Sequence, residues 1–205
     1  MRGSKAMSHS KVWAALPLAA LLAGCVSLGG AEPPEKLLTL TPALSSPADS
    51  VTEGELAGAL AVDVPATGQK LNVTRVPVQV DGSSIAYLKD AVWVEKPARL
   101  FANLLAETIR AGGDRLVVGG DELGYAASTR LGGELVEMGY DARTSGVTVR
   151  YDALLQLPDG RVLARRFEHS AGGIPAEADF VGPALNEAAN AVAGEVAAWV
   201  AESTA

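Results

Sequence analysis

The chain has 205 residues, of which 48% are hydrophobic and 20% are charged, which is enough for one folded domain with a hydrophobic core and excludes a disordered chain. Residues 1–24 carry three basic side chains and no acidic one, so the rest has 14 basic and 24 acidic side chains and a formal charge of −10. A surface of that charge repels nucleic-acid phosphates and anionic lipid headgroups, and we expect no nucleic-acid partner.

The first 24 residues have the layout of an export signal. Residues 1–11 are polar and basic, and Val12 to Gly24 then run without a charge. Thirteen helical residues span about 20 Å, which is shorter than the hydrocarbon core of about 30 Å and typical of a signal peptide. Translation can begin at Met1 or at Met7, and both starts keep Lys11 as a positive charge.

The apolar run ends in Leu22-Ala23-Gly24-Cys25, which resembles the lipobox of bacterial lipoproteins. Small residues suit a peptidase cleft, and the thiol is the nucleophile that takes the lipid. The alternative is an incidental or buried cysteine after an ordinary signal peptide. The resemblance implies that Cys25 becomes a triacylated first residue, which anchors the chain stably. Val26 in place of an aspartate then implies the periplasmic face of the outer membrane.

After the cysteine, the composition predicts a tether at 25–36 and one domain at 37–205. Val26–Glu35 contains Gly and Pro without periodicity, as flexible linkers do. Leu37–Thr41 predicts a first strand, and residues 42–57 predict a loop. Alternating apolar residues then indicate a strand around Leu60–Val64.

Two strands are predicted between Asn72 and Pro97, joined by a turn at residues 81–83. In the second strand, Ile85–Val94, we expect Tyr87 and Trp93 on one face and Leu88, Val92 and Val94 on the other. Because both faces are partly apolar, this strand is predicted to be central in its sheet.

Pro97 opens an amphipathic helix that ends at Gly112-Gly113. Its apolar stripe comprises Leu100, Phe101, Leu104, Leu105, Thr108 and Ile109. The glycine-rich segment 112–124 matches no nucleotide-binding motif, and we interpret it as turn glycines and capping aspartates.

The second half predicts a hairpin and a helix. A strand at 129–140 changes its apolar phase after Leu135, which indicates a bulge. Strands at 147–157 and 161–168 flank a turn at 158–160. An alanine-rich helix runs from about Ala176 or Phe180 to Ala201. We therefore predict an α+β fold, a mostly antiparallel sheet with two main helices packed on one face.

The sequence motifs predict no catalytic, cofactor or metal site. The domain has one histidine, His169, and neither a zinc motif nor a Gly-x-Ser-x-Gly elbow. His169 beside Ser170 invites a hydrolase hypothesis, which a solvated strand position explains equally well. Tyr87 and Trp93 have two interpretations, an aromatic core pair under the first helix or a surface for a ligand or partner.

The chain resembles the ABC-type transport auxiliary lipoproteins, the group that includes the paraquat-inducible lipoprotein component of MCE systems. The resemblance covers most of residues 37–200 and rests on Arg75, Tyr87, Trp93 and Pro97, followed by the hairpin and last helix after a lipobox. It implies a non-enzymatic protein that docks onto a periplasmic MCE-type substrate-binding component and helps to move lipids or other hydrophobic compounds. Ring-like self-association would suit such a conduit.

An alternative function has the same sequence requirements. A lipid-anchored envelope assembly factor, of the lipopolysaccharide-transport or secretin-pilot kind, also needs a lipid and a small α+β domain. Neighbouring genes for an ABC ATPase, a permease and an MCE protein favour transport, whereas secretion or peptidoglycan genes favour assembly.

Overall fold

The computed structural model describes residues 36–113, 115–119 and 124–204. Cys25, the predicted signal peptide and nearly all of the predicted tether lie outside these residues. The described chain is an α+β domain in which one eight-stranded sheet carries two helices. The strands are β1 (Leu60–Val62), β2 (Ala66–Thr67), β3 (Arg75–Gln79), β4 (Ile85–Val92), β5 (Val117–Gly119), β6 (Thr129–Asp141), β7 (Gly146–Gln156) and β8 (Val162–Gly172), and the helices are α1 (Pro97–Ala111) and α2 (Ala178–Ser203).

The longest strand, β6, organises the sheet. One edge of β6 pairs with β7 in an antiparallel ladder, and β7 pairs with β8 in the same way. The other edge receives β1, β2 and β3 at successive positions, all parallel to β6. The prediction of a mostly antiparallel sheet is therefore wrong, because the sheet is mixed. Parallel pairs need crossover connections, and local residue alternation carries no sign of them.

Both helices cover the same face of this sheet, as predicted. The ring of Phe101 in α1 meets Tyr151 of β7 edge-on, with ring centroids 5.2 Å apart. Trp199 of α2 meets Phe167 of β8 at 5.6 Å. Because Tyr151 and Phe167 are paired neighbours in the antiparallel ladder, their side chains share one face. The predicted helix stripe and the end of α1 at Gly112 are confirmed.

The predicted bulge in β6 is also confirmed. The pairing with β7 shifts its register between Leu135 and Glu137. Leu135 and Met138 are both buried in the core, although they are three positions apart. The extra residue changes which side chains face the helices.

The prediction that β4 is central in its sheet is wrong, and the strand is also irregular. β4 lies at one end of the sheet, and Asp90 has a φ of 57°. Arg75 pairs with Val92 whereas Pro77 pairs with Tyr87, so one residue of β3 faces a long bulge in β4. The bulge reverses the side-chain phase within the strand. Both faces look apolar in sequence because each half of the strand turns a different set of residues to the core.

Two further segments differ from the prediction. Leu37–Thr41 forms a single bridge, from Leu38 to Trp93, and not a full strand. The glycine-rich segment contains β5, which pairs in parallel with β1. In the described part of the chain, neither helix has the length and apolarity needed to cross a membrane.

Candidate functional site

Tyr87 and Trp93, for which the sequence suggested a possible binding surface, lie on opposite faces of the sheet. Trp93 is 1% exposed and belongs to the main hydrophobic core, and its Nε1 has no hydrogen-bond partner among the described residues. Tyr87 is half-buried on the opposite, outer face of the sheet, beside Pro77. The core interpretation therefore holds for Trp93, and Tyr87 alone is open to a ligand or partner.

Arg75 covers the ring of Tyr87 on that outer face. Its guanidinium carbon lies 4.4 Å from the ring centroid, within the range of a cation–π contact. Such a contact contributes about 0.5–1 kcal/mol at an exposed site. Arg75 and Tyr87 thus form one ordered, partly exposed feature on β3 and β4.

The first described segment, residues 37–46, crosses the domain as an extended band that we call the N-terminal strap. The Leu38 amide donates to the Val92 carbonyl oxygen at 2.7 Å, and the Val94 amide donates to the Leu38 carbonyl oxygen at 2.8 Å. Farther along, the Ser46 amide donates to Glu107 Oε1 of α1 at 2.8 Å. The strap is therefore attached to both the sheet and a helix.

Two asparagines on α2 hold the middle of the strap. Asn186 Oδ1 accepts from the Thr41 amide at 2.8 Å, and Asn190 Oδ1 accepts from the Ala43 amide at 2.7 Å. Asn190 Nδ2 also donates to the Thr41 carbonyl oxygen at 2.9 Å. This clamp was not predicted from the sequence. The feature that could have indicated it is a pair of asparagines four positions apart in a helix of mostly small apolar residues.

Gly182 lets the strap approach α2 closely. A Cβ atom at this position would lie 2.7 Å from Leu38 Cδ2. One turn earlier, Lys36 Nζ lies 3.6 Å from Asp179 Oδ1. The strap and α2 therefore run side by side in the same direction. Lys36 lies beside Asp179 near the start of the helix, and Ala43 lies beside Asn190 farther along it.

The start of α2 marks one end of the domain, which we call the α2-start end. It consists of the β3–β4 hairpin (80–84), the β6–β7 turn (142–145) and the segment before α2 (173–177). The three are joined by backbone hydrogen bonds, from the Ala142 amide to Gln79 and from the Ile174 amide to Ser145. The opposite end, called the far end, contains the β7–β8 turn at 157–161.

The outer face of β7 and β8 carries a ladder of paired polar groups. Arg150 pairs with Glu168, and Arg166 Nε lies 2.6 Å from Asp152 Oδ1. The hydrogen bond from Arg166 holds the pKa of Asp152 below its ordinary value, and the bond from Arg150 does the same for the pKa of Glu168. These pairs neutralise one another, so the ladder is a solvated surface rather than a reactive site.

His169 and Ser170 do not come together. Ser170 lies on the outer face, where its hydroxyl is 2.8 Å from the Thr148 hydroxyl. Because adjacent side chains in a strand point to opposite faces, His169 lies on the other side of β8. No group of three His, Cys, Asp or Glu side chains in the described chain is arranged to hold a metal ion.

A groove separates the strap from α1. Its volume is about 460 Å³, with Leu40, Leu100 and Leu104 supplying apolar lining and Glu107 and Arg110 lying among its polar groups. Glu107 and Arg110 are paired with each other at 2.5 Å. The groove is open and has room for an apolar side chain. Each charged side chain among its described lining residues is paired, so the groove has no free charge to bind an ionic ligand.

No family model matches the chain, and no curated protein matches it in sequence. Among solved structures, it is similar to protein XCC0632 from Xanthomonas campestris, a DUF330 protein, with a TM-score of 0.67 and 16% identity over 80% of this chain and 94% of that one. An uncharacterized protein aligns with a TM-score of 0.59 and 15% identity, over 71% of this chain and 94% of the other. The domain therefore has the fold of these proteins.

Proposed function

We propose that this protein is an outer-membrane-anchored periplasmic lipoprotein that serves as an auxiliary component of an ABC/MCE-type transporter of lipids or other hydrophobic compounds. The observation that carries the proposal is the lipobox-like sequence Leu22–Cys25, separated by eleven residues from a strap that is clamped to the domain. A chain built in this way holds a folded domain next to a membrane.

The fold supports the proposal at a coarser level. The likeness to the DUF330 protein extends over 80% of the chain and shows the fold alone. The resemblance to the transport auxiliary lipoproteins covers most of residues 37–200, which belong to the same domain. The transport role comes from that resemblance, because a shared fold does not imply a shared function.

In this proposal the domain acts by binding a protein, and hydrophobic cargo passes through the assembled complex. The far end offers exposed apolar side chains for such a partner, namely Leu154 and Val162 on the outer face of the β7–β8 hairpin. Leu154 and Val162 are diagonal neighbours in this ladder, and contiguous exposed apolar side chains mark contact surfaces. A periplasmic MCE-type component would approach this end, and self-association of copies would extend the conduit.

A pull-down tests the partner directly. The Cys25→Ser chain, made without lipid, is offered to the cognate MCE component, and we expect a complex. Leu154→Ser with Val162→Ser should weaken that complex, whereas Val80→Ser at the α2-start end serves as a control of similar exposure. Absence of a complex, together with transport that survives deletion of the gene, would refute the proposal.

A further inference from the structure

We infer that the free edge of β8 is a self-association surface, at which two copies of this chain pair their β8 strands antiparallel about a two-fold axis at Phe167. The inference goes beyond the proposed function, because it assigns self-association to one strand edge and one register. It depends neither on lipid at Cys25 nor on a transport partner.

The edge of β8 is long and regular. The strand has 11 residues without proline, and within the described chain it pairs with β7 alone. The other ends of the sheet differ, because β4 contains the bulge at Asp90 and β5 has only 3 residues. A long, regular edge is a template for another strand, whereas bulged and short edges are protected from pairing.

The ladder with β7 leaves one set of backbone groups at this edge. The Leu157 amide donates to the Arg161 carbonyl oxygen at 2.8 Å, and hydrogen-bonded pairs alternate along an antiparallel ladder, so the odd-numbered residues of β8 bond to β7. The even-numbered residues therefore turn their N–H and C=O groups to the free edge, where no other described residue bonds to them. All of these residues are exposed: Val162, Ala164, Arg166, Glu168, Ser170 and Gly172.

The charges on the outer face select a second copy as the occupant. With the axis at Phe167, Arg166 of each copy lies directly opposite Glu168 of the other. A row across the joined sheets then contains Arg150 and Glu168 of one copy, followed by Arg166 and Asp152 of the second copy. The sign of the charge alternates at every step of this row. Directly opposed side chains of opposite charge stabilise a strand pair, and like charges destabilise it.

Other registers bring like charges together. An axis at Arg166 would oppose the two Arg166 side chains, and an axis at Glu168 would oppose two carboxylates. An axis at Arg165 would oppose two arginines on the inner face, whereas the axis at Phe167 places Arg165 opposite His169. Phe167 is also the middle residue of β8, so this register pairs the strand over its whole length.

The helices leave room for this pairing. The helix α2 packs on both β7 and β8, and its Trp199 contacts Phe167. In the pair, the two copies of α2 therefore lie about two strand spacings apart, which is about 10 Å and equals the distance between packed helices. The pair thus continues both layers of the domain, the sheet and the helices.

Charge reversal tests the inference in sedimentation equilibrium of the lipid-free Cys25→Ser chain. We expect this chain to dimerise, and Arg166→Glu or Glu168→Arg to weaken the dimer at least about tenfold, because each reversal opposes like charges twice across the axis. An equimolar mixture of the two variants restores both complementary pairs, so we expect it to dimerise at least about tenfold more tightly than either variant alone. Damage within one copy is the same in the mixture and in the separate variants, and it cannot produce this recovery.

Disulfide trapping tests the register. With the axis at Phe167, residues 164 and 170 of opposite copies are directly paired, with Cα atoms about 5.5 Å apart and within reach of a disulfide. Ala164→Cys with Ser170→Cys, in the Cys25→Ser chain, should therefore form a covalent dimer on oxidation. Val162→Cys with Ser170→Cys is the control, because these positions are also exposed but lie diagonally across the axis, about 7–8 Å apart.

Four results would overturn the inference. The first is a Cys25→Ser chain that stays monomeric up to about 100 μM. The second is an oligomer that neither charge reversal weakens, which would assign self-association to another surface. The third is a control pair that is trapped as fast as the pair at 164 and 170. The fourth is a monomer whose complex with the MCE component is weakened by Arg166→Glu, which would assign the edge to that partner. The first three leave lipid at Cys25 and the transport role as they stand, since none of them measures lipidation or the MCE complex.

Discussion

The clamp between α2 and the strap provides a quantitative test of the structure. In the Asn190→Ala variant, the Ala43 amide loses its acceptor and the Thr41 carbonyl oxygen loses a donor. Each hydrogen bond contributes about 0.5–1.5 kcal/mol, and these bonds are exposed, so we expect the strap to be destabilised by about 1–2 kcal/mol. Alanine favours a helix slightly more than asparagine does, and this gain must be removed from the comparison.

Asn103→Ala in α1 supplies the control. Asn103 is exposed in a helix interior, and its side chain makes no hydrogen bond within the described residues. The helix-propensity gain is therefore the same, and the difference between the two variants isolates the clamp.

Amide hydrogen exchange at Ala43 is the assay. Because about 1.4 kcal/mol corresponds to a tenfold change in an equilibrium constant, Asn190→Ala should speed exchange at Ala43 by about 5- to 30-fold, and Asn103→Ala should leave it unchanged. Unchanged exchange at Ala43 in a folded Asn190→Ala protein would refute the idea that side-chain amides hold the strap.

Three other predictions concern stability. Gly133→Ala should lower the free energy of unfolding, measured in urea, by at least ~2 kcal/mol, because its φ is 131° and a Cβ would lie 2.0 Å from the Asp152 carbonyl oxygen. Gly160 has a φ of 86° but open space around it, so Gly160→Ala should lower the free energy of unfolding by only about 1 kcal/mol. Hydrogen bonds from Arg166 and Arg150 lower the pKa values of Asp152 and Glu168 in the folded protein. The two carboxylates therefore stabilise the fold at pH values above their unfolded-state pKa, and this stabilisation is lost as the pH falls below about 4. The Arg150→Gln, Arg166→Gln double variant should therefore show a shallower acid dependence in urea unfolding, and an unchanged slope would count against these pairs. Burial raises the pKa of Tyr151 above its ordinary value in the folded protein. The contribution of Tyr151 to stability is therefore fully present below the unfolded-state pKa of about 10, and it is lost as the pH rises above that value. Tyr151→Phe should lack this alkaline loss between pH 9 and 11, and an identical loss in both proteins would contradict the assignment.

Local patterns predicted the elements whose packing depends on neighbours in sequence. The stripe from Leu100 to Ile109 placed α1, because residues three and four apart share a helix face. The phase change after Leu135 located the bulge, since an extra residue reverses the alternation of a strand. The β7–β8 hairpin followed from its turn at 158–160. These features are fixed by contacts within a few residues or across one turn.

Long-range pairings were not predictable in the same way. Thr41 and Asn186 are 145 positions apart, and no periodicity links a strap to a helix at that distance. The parallel pairing of β1, β2 and β3 with β6 depends on crossovers that a residue pattern does not encode. The prediction that Tyr87 and Trp93 share one face of the strand was wrong because the bulge at Asp90, with its positive φ, lies between them.

The proposed function depends most directly on lipid at Cys25, by which the domain would be held at a membrane. The direct measurement compares the native chain with Cys25→Ser in radioactive palmitate labelling followed by fractionation of cell envelopes on a density gradient. The native chain should incorporate palmitate and sediment with the outer membrane, and Cys25→Ser should lose the label and appear in the soluble periplasm. Unchanged membrane fractionation of an unlabelled Cys25→Ser protein would contradict the account.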